Sequence, residues 1–278
     1  MNVLILYFSG TGNTKFIAER IGAELRERGH PTESRSVERF DPGEMDSYDF
    51  LVFGYPVYGY DMPDFLKGYV KRASLPKTRG VFLYSTLGYN GGNALRRAAE
   101  LFEDNGFLVV GSTEFSMPGN DGLILMEKTS RAAREVLATD YGDLEEFNQA
   151  IREIGERIEE LKEGGIREEN VVLPERKLIY LLVTPLMKVL FRLLKRIFVK
   201  RFRADEDCIN CGICEEICPA NNISLEEGEV HFGNDCYLCL RCVNQCPVEA
   251  IQITRYTEGK FRFKGPTGDY LPAPLEEE

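Results

Sequence analysis

The chain has 278 residues, 43% hydrophobic and 28% charged, which suits a main folded domain plus a smaller one. A net charge of −11 excludes nucleic acid as a general partner, since a phosphate backbone attracts the opposite sign. Residues 1–175 carry 20 basic and 30 acidic side chains, residues 204–278 carry 5 and 15, and residues 176–203 carry 9 and none. No apolar run reaches the ~20 residues of a membrane span. The opening Met-Asn-Val-Leu-Ile-Leu-Tyr-Phe runs straight into a glycine-rich turn with no cleavage signal. The expectation is a cytoplasmic protein, where thiols stay reduced and clustered cysteines hold metal.

Residues 3–8, Val-Leu-Ile-Leu-Tyr-Phe, read as a buried parallel strand. Ser9-Gly10-Thr11-Gly12-Asn13-Thr14 follows at once, and Ile17, Ile21 and Leu25 then mark a helix face. A strand, a hydroxyl- and glycine-rich turn and a helix N-terminus together form an anion site, with amides and dipole aimed at the ligand. The turn lacks the Gly-Lys-Ser/Thr of a nucleotide P-loop, and Lys15 stands where a dinucleotide fingerprint needs its third glycine. Read alone, it is also compatible with an ordinary strand-to-helix connection. Residues 50–54 and 80–84 read as further buried strands, followed by Tyr55-Pro56-Val57-Tyr58-Gly59-Tyr60 and by Ser85-Thr86-Leu87-Gly88-Tyr89-Asn90-Gly91-Gly92. In an open doubly wound sheet the three loops share the crevice at the C-terminal strand ends. One loop offers phosphate donors, and the others offer glycine-rich backbone and aromatic rings. A planar cofactor carrying a phosphate fits that set.

Ser9–Thr14 resembles the phosphate loop of flavodoxins, and the two later loops resemble their isoalloxazine-binding loops, over roughly residues 1–165. The resemblance implies a flavodoxin-like α/β fold, a doubly wound parallel sheet of five strands, binding FMN non-covalently. Ser9, Gly10, Thr11, Gly12, Asn13 and Thr14 would hold the phosphate. Pro56, Val57, Tyr58 and Gly59, with Thr86, Leu87, Gly88, Tyr89, Gly91 and Gly92, would border the ring, Tyr58 and Tyr89 stacking on it. The chain has no tryptophan, so the one many flavodoxins carry at this site is missing, and either tyrosine alone also reads as a plain surface aromatic. Residues 107–115 read as a fifth strand, whose following loop, Ser116 to Asn120, is placed to face the flavin or the clusters. Residues 143–162, with Leu144, Phe147, Ile151, Ile154, Ile158 and Leu161 on one face, read as a closing helix stopped by Gly164-Gly165.

Residues 166–203 join the two domains. Thr184-Pro185 reads as an N-cap and a first helical proline, and Leu186, Val189, Leu190, Leu193, Leu194, Ile197 and Phe198 mark one stripe of the helix that follows. Its basic residues fall largely off that stripe. Such a helix can clamp two acidic domains together, make peripheral contact with a membrane through residues 186–203, or select a protein partner.

Cys208, Cys211, Cys214, Cys218 and Pro219 read C-x2-C-x2-C-x3-C-P, and Cys236, Cys239, Cys242, Cys246 and Pro247 repeat that spacing 28 residues later. Three thiolates at every third residue of a short loop can converge on three irons of one cube. Two structural zinc sites are the competing use of eight cysteines. Residues 204–256 resemble bacterial-type two-cluster ferredoxins, in which the fourth cysteine of each run ligates the other cluster. The resemblance implies a small α+β dicluster domain over residues 204–278 with two [4Fe–4S] clusters. The first would be held by Cys208, Cys211, Cys214 and Cys246, and the second by Cys218, Cys236, Cys239 and Cys242. Gly212 suits a loop whose amides approach sulfide closely.

The whole chain resembles the flavodoxin–ferredoxin fusion proteins of anaerobes. The resemblance implies an electron-transfer flavoprotein relaying electrons between clusters and FMN, serving a ferredoxin or oxidoreductase as redox partner. Two other readings are an FMN-dependent reductase of a small substrate and a subunit docked on a membrane or complex. A domain-swapped homodimer is compatible with the long joining segment. No acid–base constellation accompanies the flavin loops, so no catalytic residue is assigned. His30 and His231 read as surface residues, and the tail from Pro272 to Glu278 as frayed.

Overall fold

The computed structural model describes residues 1–73 and 80–275. The chain forms two compact units: Met1–Ser9, Asn13–Met117 and Tyr141–Leu186 make the first, and Gly10–Gly12, Pro118–Asp140 and Met187–Glu278 the second.

The first unit is built on β1 (Val3–Tyr7), α1 (Asn13–Glu27), β2 (Thr32–Ser36), β3 (Phe50–Pro56), α2 (Asp64–Arg72), β4 (Gly80–Leu87), α3 (Ala94–Asp104) and β5 (Leu108–Ser116). The five strands pair in parallel in the order β2-β1-β3-β4-β5. This is the flavodoxin-like doubly wound order, which reverses direction between β1 and β3. Strands β1, β3 and most of β4 are buried, which is why they are near-continuous apolar runs. The second strand escapes sequence reading because Thr-Glu-Ser-Arg-Ser contains no apolar residue. It can afford that composition because it is an edge strand, paired to β1 alone.

Helix α1 lays Ile17, Ile21 and Leu25 on one face of the sheet. The closing helix, introduced after the excursion of residues 118–140 into the second unit, packs Ile151, Ile154, Ile158 and Leu161 beside them. Phe53 on β3 meets Phe102 of α3 edge-on at 5.1 Å on the other face.

The excursion supplies α4 (Asn120–Leu123) and α5 (Arg131–Ala138), and α6 (Glu145–Gly164) is the closing helix, ended by Gly165 at φ +77°. Leu123 of α4 and Ala133 of α5 form a small core with Phe261 and Phe263, and the Phe261 amide donates to the Met126 carbonyl at 2.9 Å.

Helix α7 (Ile179–Val199) begins five residues before the predicted Thr184-Pro185 start and carries Pro185 inside it. Pro185 lacks the donor that would have met the Leu181 carbonyl and its ring crowds that carbonyl, and the helix runs on beyond it to Val199. The expected N-cap residue Thr184 is buried, and its hydroxyl has no hydrogen-bond partner.

The remainder of the second unit comprises β6 (Arg203–Ala204), α8 (Ile213–Glu216), β7 (Ile223–Glu226), β8 (Glu229–Phe232), α9 (Arg241–Gln245) and β9 (Ile251–Gln252). The 28-residue repeat is carried into the backbone. Asn210, Asn221 and Gly212 have φ of +53°, +47° and +76°, and their counterparts Leu238, Glu249 and Leu240 have +57°, +56° and +58°. Left-handed backbone is costly for a leucine, so its recurrence marks a loop shape imposed by function rather than by propensity. Helices α8 and α9 likewise start 28 residues apart, as do β7 and β9.

Two smaller expectations are corrected. His30 is buried (1% exposed), since the turn at Gly29 folds it back and its amide donates to the Leu25 carbonyl at 2.9 Å. His231 is exposed as expected. The tail does not fray from Pro272: Ala273–Leu275 form a turn of 3-10 helix that buries Ala273, and the rest of that expectation lies outside the described residues.

Candidate functional site

The loop after β1 buries its hydroxyls almost completely, with Ser9, Thr11 and Thr14 at most 2% exposed. Thr14 Oγ1 lies 2.8 Å from Thr86 Oγ1, which ties the start of α1 to the end of β4. The Tyr84 hydroxyl donates to the Thr14 carbonyl at 3.0 Å. Its ring reaches there by crossing β3 at Gly54, where a Cβ would stand 1.9 Å from Tyr84 Cζ. Gly12 has φ +107°, a conformation L side chains rarely adopt, so the turn depends on glycine at that place. Asn120 Nδ2 donates to Thr11 Oγ1.

After β3, the Val57 amide donates to the Thr86 carbonyl at 2.9 Å. Tyr58 and Asp61 then exchange both backbone bonds around Gly59 and Tyr60, which have φ of +57° and +65°. Two successive positive φ values make a tight primed turn, and Tyr60 accepts its strain because Asp61 is anchored. The buried Asp61 carboxylate receives Lys67 Nζ at 2.8 Å and Arg97 Nε at 3.3 Å. After β4, Gly91 and Gly92 are buried while Tyr89 stands 95% exposed. At Gly91 a Cβ would lie 2.5 Å from Glu114 Oε1, so a larger residue there would push that carboxylate aside. Pro56, Val57, Tyr58 and Gly59 are half-buried, as is Leu87, and Gly88 is exposed.

Several contributors were invisible in the sequence. Tyr55 on β3 lies opposite Ser85 on β4, and both are fully buried with hydroxyl oxygens that lack any hydrogen-bond partner. Burial, helped by the negative charges of Asp61 and Glu114, pushes the Tyr55 phenol well above its usual range, so it stays protonated. Tyr180 of α7 accepts from Asn90 Nδ2 at 2.5 Å, lies 6.0 Å from the Tyr60 ring and covers Gly92. Its segment reads as a charge feature, and no local pattern links it to a loop about 90 residues earlier.

In the second unit the eight cysteines fall into two neighbourhoods. Burial pushes the Cys214 thiol up to about 11, and the surrounding Cys246, Cys208 and Cys211 act in the same direction. Cys239 is raised to about 12 by burial, with Cys236 and Cys218 adding to it against the lowering influence of Arg241. A cavity is lined by Cys218, Cys236, Cys239 and Cys242 together with Phe202 and Ile223. Backbone amides point at the sulfurs: Asn222 donates to Cys218 Sγ at 3.3 Å and Ala250, its repeat counterpart, to Cys246 Sγ at 3.2 Å. Arg241, 1% exposed, donates to the carbonyls of Ile217 at 3.0 Å and Gly10 at 3.3 Å.

The Flavodoxin domain family matches residues 4–95, and the 4Fe-4S dicluster domain family matches residues 207–250. The chain is similar to a flavodoxin of Nitratidesulfovibrio vulgaris, 39% identical over 61 residues, 22% of this chain and 41% of that one. It is 30% identical over 122 residues to the flavodoxin of Megasphaera elsdenii, across 42% of this chain and 89% of that protein. The chain belongs to the flavodoxin family. It is a flavodoxin–ferredoxin fusion, since its dicluster region is also 47% identical over 47 residues to ferredoxin Fdx2 of Sorangium cellulosum, 17% of this chain and 45% of that one. The solved two-electron reduced Megasphaera elsdenii flavodoxin aligns with a TM-score of 0.39 and 28% identity over 42% of this chain and 89% of that one. The flavodoxin–ferredoxin fusion is thus an electron-transfer iron–sulfur flavoprotein. The flavodoxin match stops before residues 118–140, the excursion that joins the second unit.

Proposed function

We propose that this protein relays electrons between two [4Fe–4S] clusters and one FMN on behalf of a redox partner protein in the reducing cytoplasm of an anaerobe. The observation that carries the reading is the pair of cysteine neighbourhoods. A cavity lined by the first three thiols of one run and the fourth of the other supports an inter-run ligand set. Cys208, Cys211, Cys214 and Cys246 would hold one cluster, and Cys218, Cys236, Cys239 and Cys242 the other. Against zinc, each run adds a third cysteine to its C-x2-C pair and ends in Cys-Pro, which is the iron–sulfur form.

The flavin loops fit a phosphorylated planar ligand. Ser9, Thr11 and Thr14 present buried hydroxyls beside the amides of Gly10, Gly12 and Asn13, so a phosphate dianion would meet neutral donors at a helix N-terminus. Tyr58 and Tyr89 would face the ring from the two later loops, and the exposure of Tyr89 leaves its whole face available. Pro56, Val57, Gly59, Leu87, Gly88, Gly91 and Gly92 would close the rim, with Thr86 fixing the phosphate loop to it. Tyr55 and Ser85, paired on the strands that lead into those loops, add two buried neutral hydroxyls without a hydrogen-bond partner. When bound, FMN supplies one- and two-electron chemistry and the clusters supply one-electron steps. The residues of these loops would bind and orient the flavin and exclude water from it. Residues 1–165 are proposed as the FMN domain, 166–203 as the joining segment and 204–278 as the cluster domain.

Anaerobic reconstitution, followed by iron, sulfide and flavin quantification and a redox titration, tests the reading. The expected result is about eight irons and one FMN per chain, from two four-iron cubes. Stoichiometric zinc in native protein, or turnover of a small molecule with no partner protein present, would overturn it.

A further inference from the structure

Residues 176–203 contain no acidic side chain, and α7 runs through their middle. Its apolar residues exceed what one buried face can use. Tyr180, Met187 and Phe191 are half-buried and Val199 is buried, marking the side already turned inward. Leu186, Leu190, Leu193 and Ile197, spaced by four, three and four, form a second stripe to one side of it. That stripe is open, with Leu186 69% exposed and the other three between 43% and 52%. Arg192 and Arg196 are exposed, and they sit one residue before Leu193 and Ile197 respectively.

We propose that this face of α7 seats on an anionic lipid surface, the helix lying in the headgroup plane. The helix is about 32 Å long at ~1.5 Å per residue. No helix among the described residues is long and apolar enough to cross a membrane, so the seat is interfacial. An open apolar stripe with arginines beside it and no carboxylates matches both components of an anionic interface, acyl boundary and phosphate charge. A second copy satisfies only the first. Pairing two such faces would set a segment of nine basic and no acidic residues against itself.

The test uses the anaerobically purified full chain with its cofactors, mixed with vesicles of phosphatidylcholine alone or with phosphatidylglycerol. Because the chain has no tryptophan, Leu193→Trp introduces a single emission reporter on the stripe. Expected are co-sedimentation with anionic vesicles at low salt, a blue shift of the Leu193→Trp emission, and binding at least about tenfold weaker to neutral vesicles. Arg192→Gln/Arg196→Gln should weaken binding about thirtyfold, and Leu186→Glu/Leu193→Glu should abolish it while leaving the visible spectrum of the cofactors unchanged. Equal binding to both lipids, or none to anionic vesicles at low salt, would overturn the proposal. A dimer abolished by Leu186→Glu/Leu193→Glu without vesicle binding would reassign the face to a second copy. Retention by an acidic protein without vesicle binding would reassign it to a protein partner.

Discussion

Arg241 shows how one buried charge can set a redox property. It lies between Cys239 and Cys242 in sequence, is almost fully buried, and its guanidinium donates to the Gly10 and Ile217 carbonyls. A fixed positive charge beside a cluster favours the reduced, more negative state. Arg241→Gln should therefore lower the reduction potential of the neighbouring cluster, while Arg241→Lys should largely keep it. A loss of about 1.4 kcal/mol would appear as about 59 mV for a one-electron couple. Midpoints from a titration followed by electron paramagnetic resonance check this, and unchanged midpoints in Arg241→Gln would contradict it. Nothing in the sequence marked Arg241, because its importance lies in burial, and an arginine in a cysteine-rich loop reads as a surface charge. His30 was misread for the same reason: a histidine after a helix-ending glycine is usually exposed, and here the turn returns it to the interior.

Among the elements, the hairpin joining β7 and β8 turns on Glu227 and Gly228, with φ of +50° and +82°. Two positive φ values in a two-residue loop define the primed turn that Asn-Gly prefers, and a glutamate there bears left-handed strain. Glu227 is exposed and flanked by Glu226 and Glu229. Glu227→Asn should stabilise the protein by about 0.5–1 kcal/mol, read as a higher denaturation midpoint with unchanged metal content. A lower midpoint would show that the turn is held by something other than backbone preference. The elements themselves differed in legibility. The strands β1, β3 and β4 and the helices α1 and α6 were plain, because burial on both faces or on one stripe leaves a period in the sequence. Strand β2 was not, because an edge strand needs no apolar face. Helix α7 was placed too late, because proline at a second turn looks the same in sequence as proline at a first.

Across the molecule, the two units differ in what stabilises them. The sheet of the first unit closes on Ile5, Tyr84, Ile154 and their neighbours and contains no cysteine. The core of the second includes Cys242 and Cys246, with Cys208, Cys214, Cys218 and Cys236 packed against it, on a region of short strands and helices. Metal binding there doubles as folding energy. Removing iron with a chelator under reducing conditions should raise amide hydrogen exchange across residues 213–252 to near-unfolded rates. Residues 3–7 and 50–56 should stay protected. Protection that persists in both regions without iron would mean that the second unit folds unaided.

By itself the sequence determined four of the five strands, the order of the loops that follow them and the eight-cysteine repeat. These features are written in local periods and fixed spacings, which need no partner to be read. Only the tertiary structure decided which thiols share a neighbourhood, that residues 118–140 leave the sheet for the second unit, that Tyr180 covers a loop about 90 residues away, and that the α7 stripe faces outward. Each of those is a matter of which surface meets which, and the energy that settles it comes from burial between segments far apart in the chain.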